Sequence, residues 1–435
     1  MIGVLFVGLN GAVANTVITG INSVIDYKSN TFLPPTISAD YTQDEIKSFG
    51  SIVKTEYFRG VDFINEEEFI IGGWDVVYEN AYNMARYHKI VPFEYYESVK
   101  GKLEKIFPMK GIVNSWDSFE AINSEYSINM NSFKNFMDSV DIVRKNIDDF
   151  KKNNKLKDVV VVYLALPLKI KRKLEELQNL SYEDLTKLGP EDLPSSCVYA
   201  IASILEGCPF VDFTPNLTLS IPLIEELSIR YGVPLAGMDG NTGQTLLKTL
   251  IAPMLKLRNF KLIGWYSTNI LGNNDGKILS RNEHRELKIE DKLSVLEPIL
   301  GYSDFDHVVE INYYKPKYDN KEAWDNVDFM GYLGLPMSFK INWIGRDSIL
   351  AAPLVIDLIK HMEFAKRHSL KGILEYLAIY FKHPLKSRYN DFIKELNLPI
   401  KLYKDKLVLS FFDAFNLLYS FYRNFTKKNV IHHLF

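Results

Sequence analysis

Residues 2–14 read IGVLFVGLNGAVA, and the fold turns on how this stretch is taken. Ile2 to Val7 is an unbroken apolar run with no polar alternation, as expected of a strand buried on both faces of a parallel sheet. Gly8-Leu9-Asn10-Gly11 is a turn, and Ala12 to about residue 25 has helical character. The unit is strand, glycine turn, helix. Working outward, residues 27–45 read as loop, with Pro34, Pro35 and Asp40. Residues 159–166 form a second buried strand, and 210–213 a short one. Helical spacing marks 75–108, 131–152, 171–188, 196–205 and 221–231, and residues 232–236 lead into a further turn. Strands and helices alternating over 1–240 predict a parallel sheet covered by helices. Beyond about residue 245 the texture changes. A helix at 245–256 precedes runs at 261–267, 308–314 and 337–343, and the last two alternate as half-exposed strands do. That pattern predicts a mixed or antiparallel sheet. Apolar helices follow at 346–373 and 405–425.

The chain has 435 residues, 47% hydrophobic and 24% charged, with a net charge of −3. It is therefore globular and long enough for two or three domains. A charge this close to neutral argues against a general nucleic-acid binder. The two cysteines, Cys197 and Cys208, exclude a disulfide scaffold, and no Cys/His spacing suits structural zinc. The longest apolar run, 159–168, is too short to span a bilayer, and the N-terminus lacks a basic flank and cleavage motif. A cytoplasmic protein without membrane association is expected.

Three kinds of segment carry chemistry. In the first turn, Gly8, Asn10 and Gly11 precede Ala12, Val13 and Ala14 at a helix start. A dinucleotide site uses G-x-G-x-x-G at this place so that backbone amides approach a pyrophosphate. Here only two glycines remain, with Ala at the third position, so an ordinary tight turn is an equal reading. Asp75, in Gly72-Gly73-Trp74-Asp75, is a candidate ribose contact. The second segment, GMDGNTGQTLLKT (237–249), opens a helix at Thr242, Gly243, Gln244 and Thr245. Threonines there ordinarily cap; with Gly243 between them the amides are open to a phosphate. Asp239 either orients a base or caps the turn. YSTNILGNNDGK (266–277) places Asn269, Asn273 and Asp275 around a turn that also suits a hairpin. Asp275 is a candidate ligand for a cation. The third kind is a set of lysines. Lys288 and Lys292 share a face if helical, Lys321 follows Asp319-Asn320 in a predicted loop, and Lys382 ends an apolar helix among aromatics. Lysines are mostly solvated surface residues. One flanked by aromatics is partly desolvated, which lowers its pKa toward proton-transfer work.

These segments resemble the myo-inositol-1-phosphate synthase (inositol-3-phosphate synthase) family, in its archaeal and bacterial form. The resemblance is carried by GMDGNTGQTLLKT, LIGWYSTNILGNNDGK (262–277), ELKIEDK (286–292), YDNKEAW (318–324), GYLGLPMSFK (331–340), RDSILAAPLVIDL (346–358) and IYFKHPL (379–385). It implies an α/β chain with a Rossmann-type NAD-binding domain over 1–245. It also implies an α+β catalytic and tetramerisation domain over 246–345, and a segment over 346–435 returning to the NAD-binding domain. The implied assembly is a homotetramer and the implied substrate a sugar phosphate. The implied chemistry is redox-neutral: oxidation of glucose 6-phosphate at C5, enolisation, attack of C6 on C1, and reduction by the NADH just made. Carried over by position, Lys288 and Lys382 look like the lysines flanking C5, and Lys292 and Lys321 like phosphate and aldol-step contacts. Thr242, Gly243, Gln244 and Thr245 match the phosphate cradle. Asp239, Asn269, Asn273, Asp275 and Asp347 match polar groups around the nicotinamide and reacting carbons. Some members use a divalent cation, for which Asp275 is a ligand candidate.

The chain departs from the family in three places, the first being a cofactor turn, Gly8–Ala14, poorer in Gly and Asn than is usual there. The buried strand ends Leu164-Ala165-Leu166-Pro167-Leu168, where the family has a short Asn/Ser/Thr/Glu stretch, and Met238 stands where Asp or Asn is usual. A different sugar phosphate, or nucleotide binding without catalysis, are the alternatives these departures leave open.

Overall fold

The structure is a computed structural model and describes residues 1–23, 42–166, 168, 174–272, 295–389, 401–403 and 406–432. It comprises two compact units. The first holds Met1–Asp239, Ala351–Leu374 and Ser387–Asn390; the second holds Gly240–Leu350, Glu375–Lys386 and Asp391–Phe435.

The first unit is built on β1 (Ile2–Val7), β2 (Phe69–Asp75), β3 (Met109–Val113), β4 (Ser127–Asn129), β5 (Val159–Tyr163), β6 (Phe210–Asp212), β7 (Pro234–Gly237) and the late strand Gly372–Ile373. They form an eight-stranded parallel sheet. From β1 the order runs outward to β2, β3 and β4 on one side, and through β5, β6 and β7 to Gly372–Ile373 on the other. Successive strands thus leave the middle in opposite directions. The reversal lies between β1 and β5, and such a switch point opens a crevice at the carboxyl ends of those strands. Every residue of β1 and β5 is buried, which is why neither alternates.

Among the described residues, four helices of eight residues or more connect these strands: α1 (Ala12–Asn22), α2 (Ala81–His88), α3 (Phe136–Asn154) and α4 (Ser195–Leu205). A fifth, α5 (Pro222–Tyr231), starts on a proline and ends on Gly232 in the left-handed region. α3 starts in a capping box, Asn135 with Asp138. It lies so close to the sheet that a Cβ on Gly3 or Gly72 would come within 2.9 or 2.7 Å of the Phe150 ring. α4 sets Tyr199 against Trp74 and Tyr163, at 5.3 and 6.0 Å between ring centroids.

Sequence expectations fail where local patterns are broken. The helix expected over 75–108 is instead the end of β2, then α2, Phe93–Glu97 and Lys100–Leu103, before β3. Lys89 in the left-handed conformation ends α2, and Pro92 forces a new start. β2 itself hides behind two glycines. The helix expected over 171–188 is, in its described part, two 3-10 turns, Leu174–Leu177 and Tyr182–Thr186, the second restarted by the Ser181–Asp184 capping box. Residues 232–236, expected to lead into a further turn, contain most of β7.

In the second unit, β8 (Lys261–Leu271), β9 (Asp306–Tyr313), β10 (Asn320–Met330) and β11 (Pro336–Arg346) form a sheet in the order β11-β10-β8-β9. β8 and β9 are parallel and the other pairs antiparallel. Lys321, expected in a loop, is the second residue of β10 and pairs with Leu271. The polar start Asp319-Asn320 hides its strand. α6 (Gln244–Leu257) covers one face through Ala252 and Leu255, which join Leu262, Trp265, Val327 and Phe329 in a core. On the other face Tyr266, Val308, Trp324 and Ile344 stay exposed. Among the described residues two more helices of eight residues or more follow: α7 (Asp347–Arg367), which from Ala351 on belongs to the first unit, and α8 (Phe411–His432) of the second. α8 is joined to residues 375–380 by the stacked rings of Tyr376 and Phe421, 3.6 Å apart.

Under the sheet lies a lysine shut off from solvent. Lys248 of α6 is fully buried, with Nζ 2.7 Å from His307 Nε2 and 5.9 Å from the centre of the Trp265 ring. Burial pulls its pKa down to about 7, against the attraction of Asp325. In the unfolded chain the same amine keeps its ordinary value near 10.5. Between these values the unfolded state binds more protons, so folding stability rises with pH across the window. Below pH 7 both states are charged and the cost of burying the cation is felt in full.

Two stability measurements follow from this packing. Gly73 has φ +156°, and a Cβ there would lie 2.1 Å from Phe6 O. Gly73→Ala is expected to cost about 3 kcal/mol or more. Gly20→Ala, inside α1 with nothing within 4 Å, should gain about 0.5–1 kcal/mol. Urea unfolding of both variants reads the contrast. Lys248→Met should abolish the increase in unfolding free energy that the wild type shows between pH 7 and 10. An unchanged pH profile in that variant would mean the lysine is charged in the fold.

Candidate functional site

At the switch point of the first unit, the chain leaves β1 through two glycines whose missing side chains make the turn. Gly8 has φ +91°, and a Cβ on it would sit 3.1 Å from Ala165 Cα. A Cβ on Gly11 would sit 3.0 Å from Gly8 O, the carbonyl that accepts from Gly11 N. Gly8 N and Leu9 N both donate to Trp74 O. Gly11 is also the N-cap of α1 and offers no side-chain cap. The first-turn amides, beginning with Ala12 and Val13, are thus left for an anion at the positive end of the helix dipole.

Asn10 organises the rest of this turn. Its side-chain amide donates to Val77 O and Glu79 O at 2.8 and 2.9 Å, and its backbone N–H donates to Asp75 Oδ2 at 2.8 Å. Asn10 Oδ1 is buried and accepts nothing. Asp75 also accepts from Val76 N and Val77 N. Burial raises its pKa, while these three amides pull it back down. His88 donates through Nε2 to Asn10 O at 2.7 Å, and burial holds it below its usual range. The turn fits the pyrophosphate of a dinucleotide: glycines where any Cβ would collide, and an uncapped helix start whose amides can donate.

Further along the same sheet edge, Asp239 is buried at φ +61°, with its N–H bonded to Thr214 O at 3.0 Å. Thr214 in turn donates to Asp212 Oδ1 through its N–H at 3.0 Å and its hydroxyl at 2.6 Å. Asp212 ends β6 and is fully buried, and desolvation pushes its carboxyl up to about 7, with the nearby Asp239 charge adding to the rise. Sequence reading missed Asp212, although an acidic residue closing an apolar strand was its signal.

The second unit, taken by itself, holds the start of α6. Gly243 is the N-cap, again without a side-chain cap. A Cβ on Gly243 would be 3.1 Å from Lys321 Nζ, so the lysine of β10 lies directly over the glycine. Lys321 Nζ also meets Asp347 Oδ1 at 3.3 Å. An ammonium and a set of uncapped amides thus converge on one spot, as phosphate binding requires. Gln244 and Asn269 do not point their side chains outward. Asn269 Nδ2 donates to Gln244 Oε1, and Gln244 Nε2 donates to Asp325 Oδ2 at 3.0 Å. Asp325 also accepts from Trp265 Nε1 and Ser267 Oγ. What Gln244 offers a ligand is therefore its backbone amide.

Lys382 lines a small cleft together with Asn241, Thr245, Thr249 and His383. It is half-buried. An antiparallel bridge between Gly240 and Phe381, and the bond from Asn241 N to Tyr380 O at 2.9 Å, hold Lys382 beside the segment that starts α6. Thr242 N donates to Gly240 O at 3.2 Å within that segment. Lys288, Lys292, Asn273 and Asp275 lie outside the described residues. Among the described residues no group of three His, Cys, Asp or Glu side chains is arranged to hold a metal ion.

Comparison with known proteins bears on this geometry. A family model described as myo-inositol-1-phosphate synthase, of the NAD-binding class, matches residues 2–401. Inositol-3-phosphate synthase 1 of Bacteroides thetaiotaomicron is 36% identical over 395 residues, covering 88% of this chain and 89% of that protein. Inositol-3-phosphate synthase of Saccharomyces cerevisiae is 28% identical over 415 residues, covering 86% and 75%. In fold, the chain is similar to the crystal structure of inositol-3-phosphate synthase from Caenorhabditis elegans, with a TM-score of 0.77 at 24% identity over 96% of this chain and 85% of that one. With its glycine turn at a doubly wound switch point and its lysine over an uncapped helix start, the chain belongs to the myo-inositol-1-phosphate synthase family.

Proposed function

We propose that this chain is an inositol-3-phosphate synthase that converts D-glucose 6-phosphate to 1L-myo-inositol 1-phosphate with bound NAD. The observation that carries this reading is Lys321 Nζ poised over Gly243 at the uncapped start of α6, a phosphate cradle in a chain of this family. Thr242, Gly243, Gln244 and Thr245 offer amides and hydroxyls to the phosphate, and Lys321 and Lys292 offer positive charge. Of Lys382 and Lys288, one takes the single proton of the C5 hydroxyl, and the other, already charged, polarises the C5 ketone. That ketone acidifies C6, whose carbanion attacks the C1 aldehyde and closes the ring. Asp239, Asn273, Asp275 and Asp347 are the polar groups assigned to orient the reacting carbons and cofactor, with Asn269 acting behind them through Gln244. Gly8, Asn10, Gly11, Ala12 and Val13 take the dinucleotide, with Asp75 ordering the turn beside it. NAD supplies the hydride acceptor at the start and the donor at the end, so no NADH accumulates.

The assembly proposed is a homotetramer in the cytoplasm. Its support is the uncovered face of the second sheet. Tyr266, Trp324 and Ile344 are 43%, 48% and 62% exposed there, an apolar surface suited to a second copy. No helix among the described residues is long and apolar enough to cross a membrane.

The reaction is tested by following purified protein, glucose 6-phosphate and NAD+ by NMR, with and without EDTA. Inositol phosphate without net NADH is expected, and loss of product in EDTA would assign a divalent cation, with Asp275 as its first candidate ligand. Lys382→Ala should lower kcat by about a thousandfold while NAD binding persists. Lys321→Ala should chiefly raise KM, by about tenfold or more. Wild-type turnover in Lys382→Ala would remove that lysine from the chemistry. The apolar residues 164–166 favour a panel of other hexose phosphates if glucose 6-phosphate yields no product. Trp324→Glu should split the tetramer on size-exclusion chromatography with light scattering; an intact tetramer would place the interface elsewhere.

A further inference from the structure

The crevice between β1 and β5 has two halves. The half at β1 and β2 is furnished with polar groups: the α1 amides, Asn10 and Asp75. The half at β5 and β6 is not, because β5 runs on into Leu164, Ala165 and Leu166, which present no side-chain donor or acceptor. A dinucleotide nevertheless extends over both halves of a doubly wound sheet.

One polar group stands behind this apolar stretch. Asn216, in the loop after β6, is only 6% exposed. Its Oδ1 accepts from Leu168 N at 2.9 Å, which fixes the carboxamide so that the –NH2 end faces the other way. That Nδ2 is buried and has no hydrogen-bond partner. The Asn216 backbone N–H reaches the Thr214 hydroxyl at 3.5 Å, the same threonine that braces Asp212 and Asp239. Nearly all buried amide donors in folded proteins are bonded, and an orphan calls for an absent acceptor. A ligand oxygen arriving at the end of β5 meets the need.

We propose that Asn216 Nδ2 donates to an oxygen on the nicotinamide-nucleoside half of bound NAD, supplying the polar contact that residues 164–166 lack. The inference rests on the NAD reading above and adds to it a residue and an end of the cofactor. Asn216 is a binding residue here and takes no part in proton transfer.

Binding alone tests it, with no need for turnover. Calorimetry is run with NAD+ and with ADP-ribose, which retains the pyrophosphate and adenosine but has no nicotinamide. Two variants are used: Asn216→Asp keeps the acceptor for Leu168 N and removes the donor, and Asn216→Ser shortens the group. Both should bind NAD+ tenfold or more weakly than wild type while their ADP-ribose affinity stays within twofold. The retained ADP-ribose affinity also shows that the first unit is folded. Unchanged NAD+ affinity in both variants, or equal loss for both ligands, overturns the proposal. Wild-type protein that binds neither ligand would overturn the NAD reading itself and this inference with it. Wild-type protein that binds both, with variants indistinguishable from it, would leave NAD in place and remove only Asn216.

Discussion

Backbone amides reach an anion only where no side chain stands between, and two helix starts in this chain meet that condition. α1 begins at Gly11 and α6 at Gly243, neither with a capping side chain. A glycine in place of a capping side chain costs a few tenths of a kcal/mol in an empty protein. The surroundings are arranged to bear that cost. Gly8 and Gly73 let β1, β2 and the 164–165 backbone close to distances no Cβ permits, so the first turn cannot relax outward. At the second start, Lys321 supplies the positive partner, and its strand β10 is held by full pairing to β8 and β11. Binding energy for phosphates is therefore prepared before a ligand arrives, which is how preorganised sites avoid a conformational penalty on association.

The second feature is the placement of titratable groups away from water. Asp212 ends a buried strand and Lys248 sits under a sheet, and desolvation brings both carboxyl and amine toward neutrality at physiological pH. Asp212 is tied through Thr214 to Asp239, and Lys248 shares its surroundings with Asp325, which holds Gln244. Each buried group thus stiffens a residue that opens toward ligand. Hydrogen bonds in so dry a setting are stronger than the same bonds in water, which is where the stiffness comes from.

Much of the sheet was legible because its strands are buried on both faces and read as unbroken apolar runs; β1 and β5 are of this type. β2 was not, because Gly72 and Gly73 replace branched residues where α3 and β1 press close, and the apolar signal vanishes for the same reason the packing is tight. Lys321 was legible as chemistry and wrong as structure: its polar neighbours read as loop, whereas β10 alternates polar and apolar residues between an exposed and a covered face. Gln244 and Asn269 were picked out by their motifs, but no local pattern tells that their side chains satisfy one another inward. Asn216 had no signal at all, since an orphan donor is defined by what surrounds it in space.

That last case says something about how polar function is distributed on a doubly wound sheet. The carboxyl ends of adjacent strands lie about 5 Å apart, so a polar group missing from one strand can be replaced from the loop of the next without moving the ligand. In this chain β5 is followed by leucine and alanine, and the neighbouring loop carries an asparagine whose oxygen is tethered to Leu168 just downstream of that strand. The tether matters more than the proximity. An untethered carboxamide could flip to present either end, whereas one whose oxygen is committed to a backbone N–H can present only its donor. A site that must recognise an acceptor oxygen and reject other groups gains its selectivity from that commitment, and gains it from a residue that no motif of β5 would reveal.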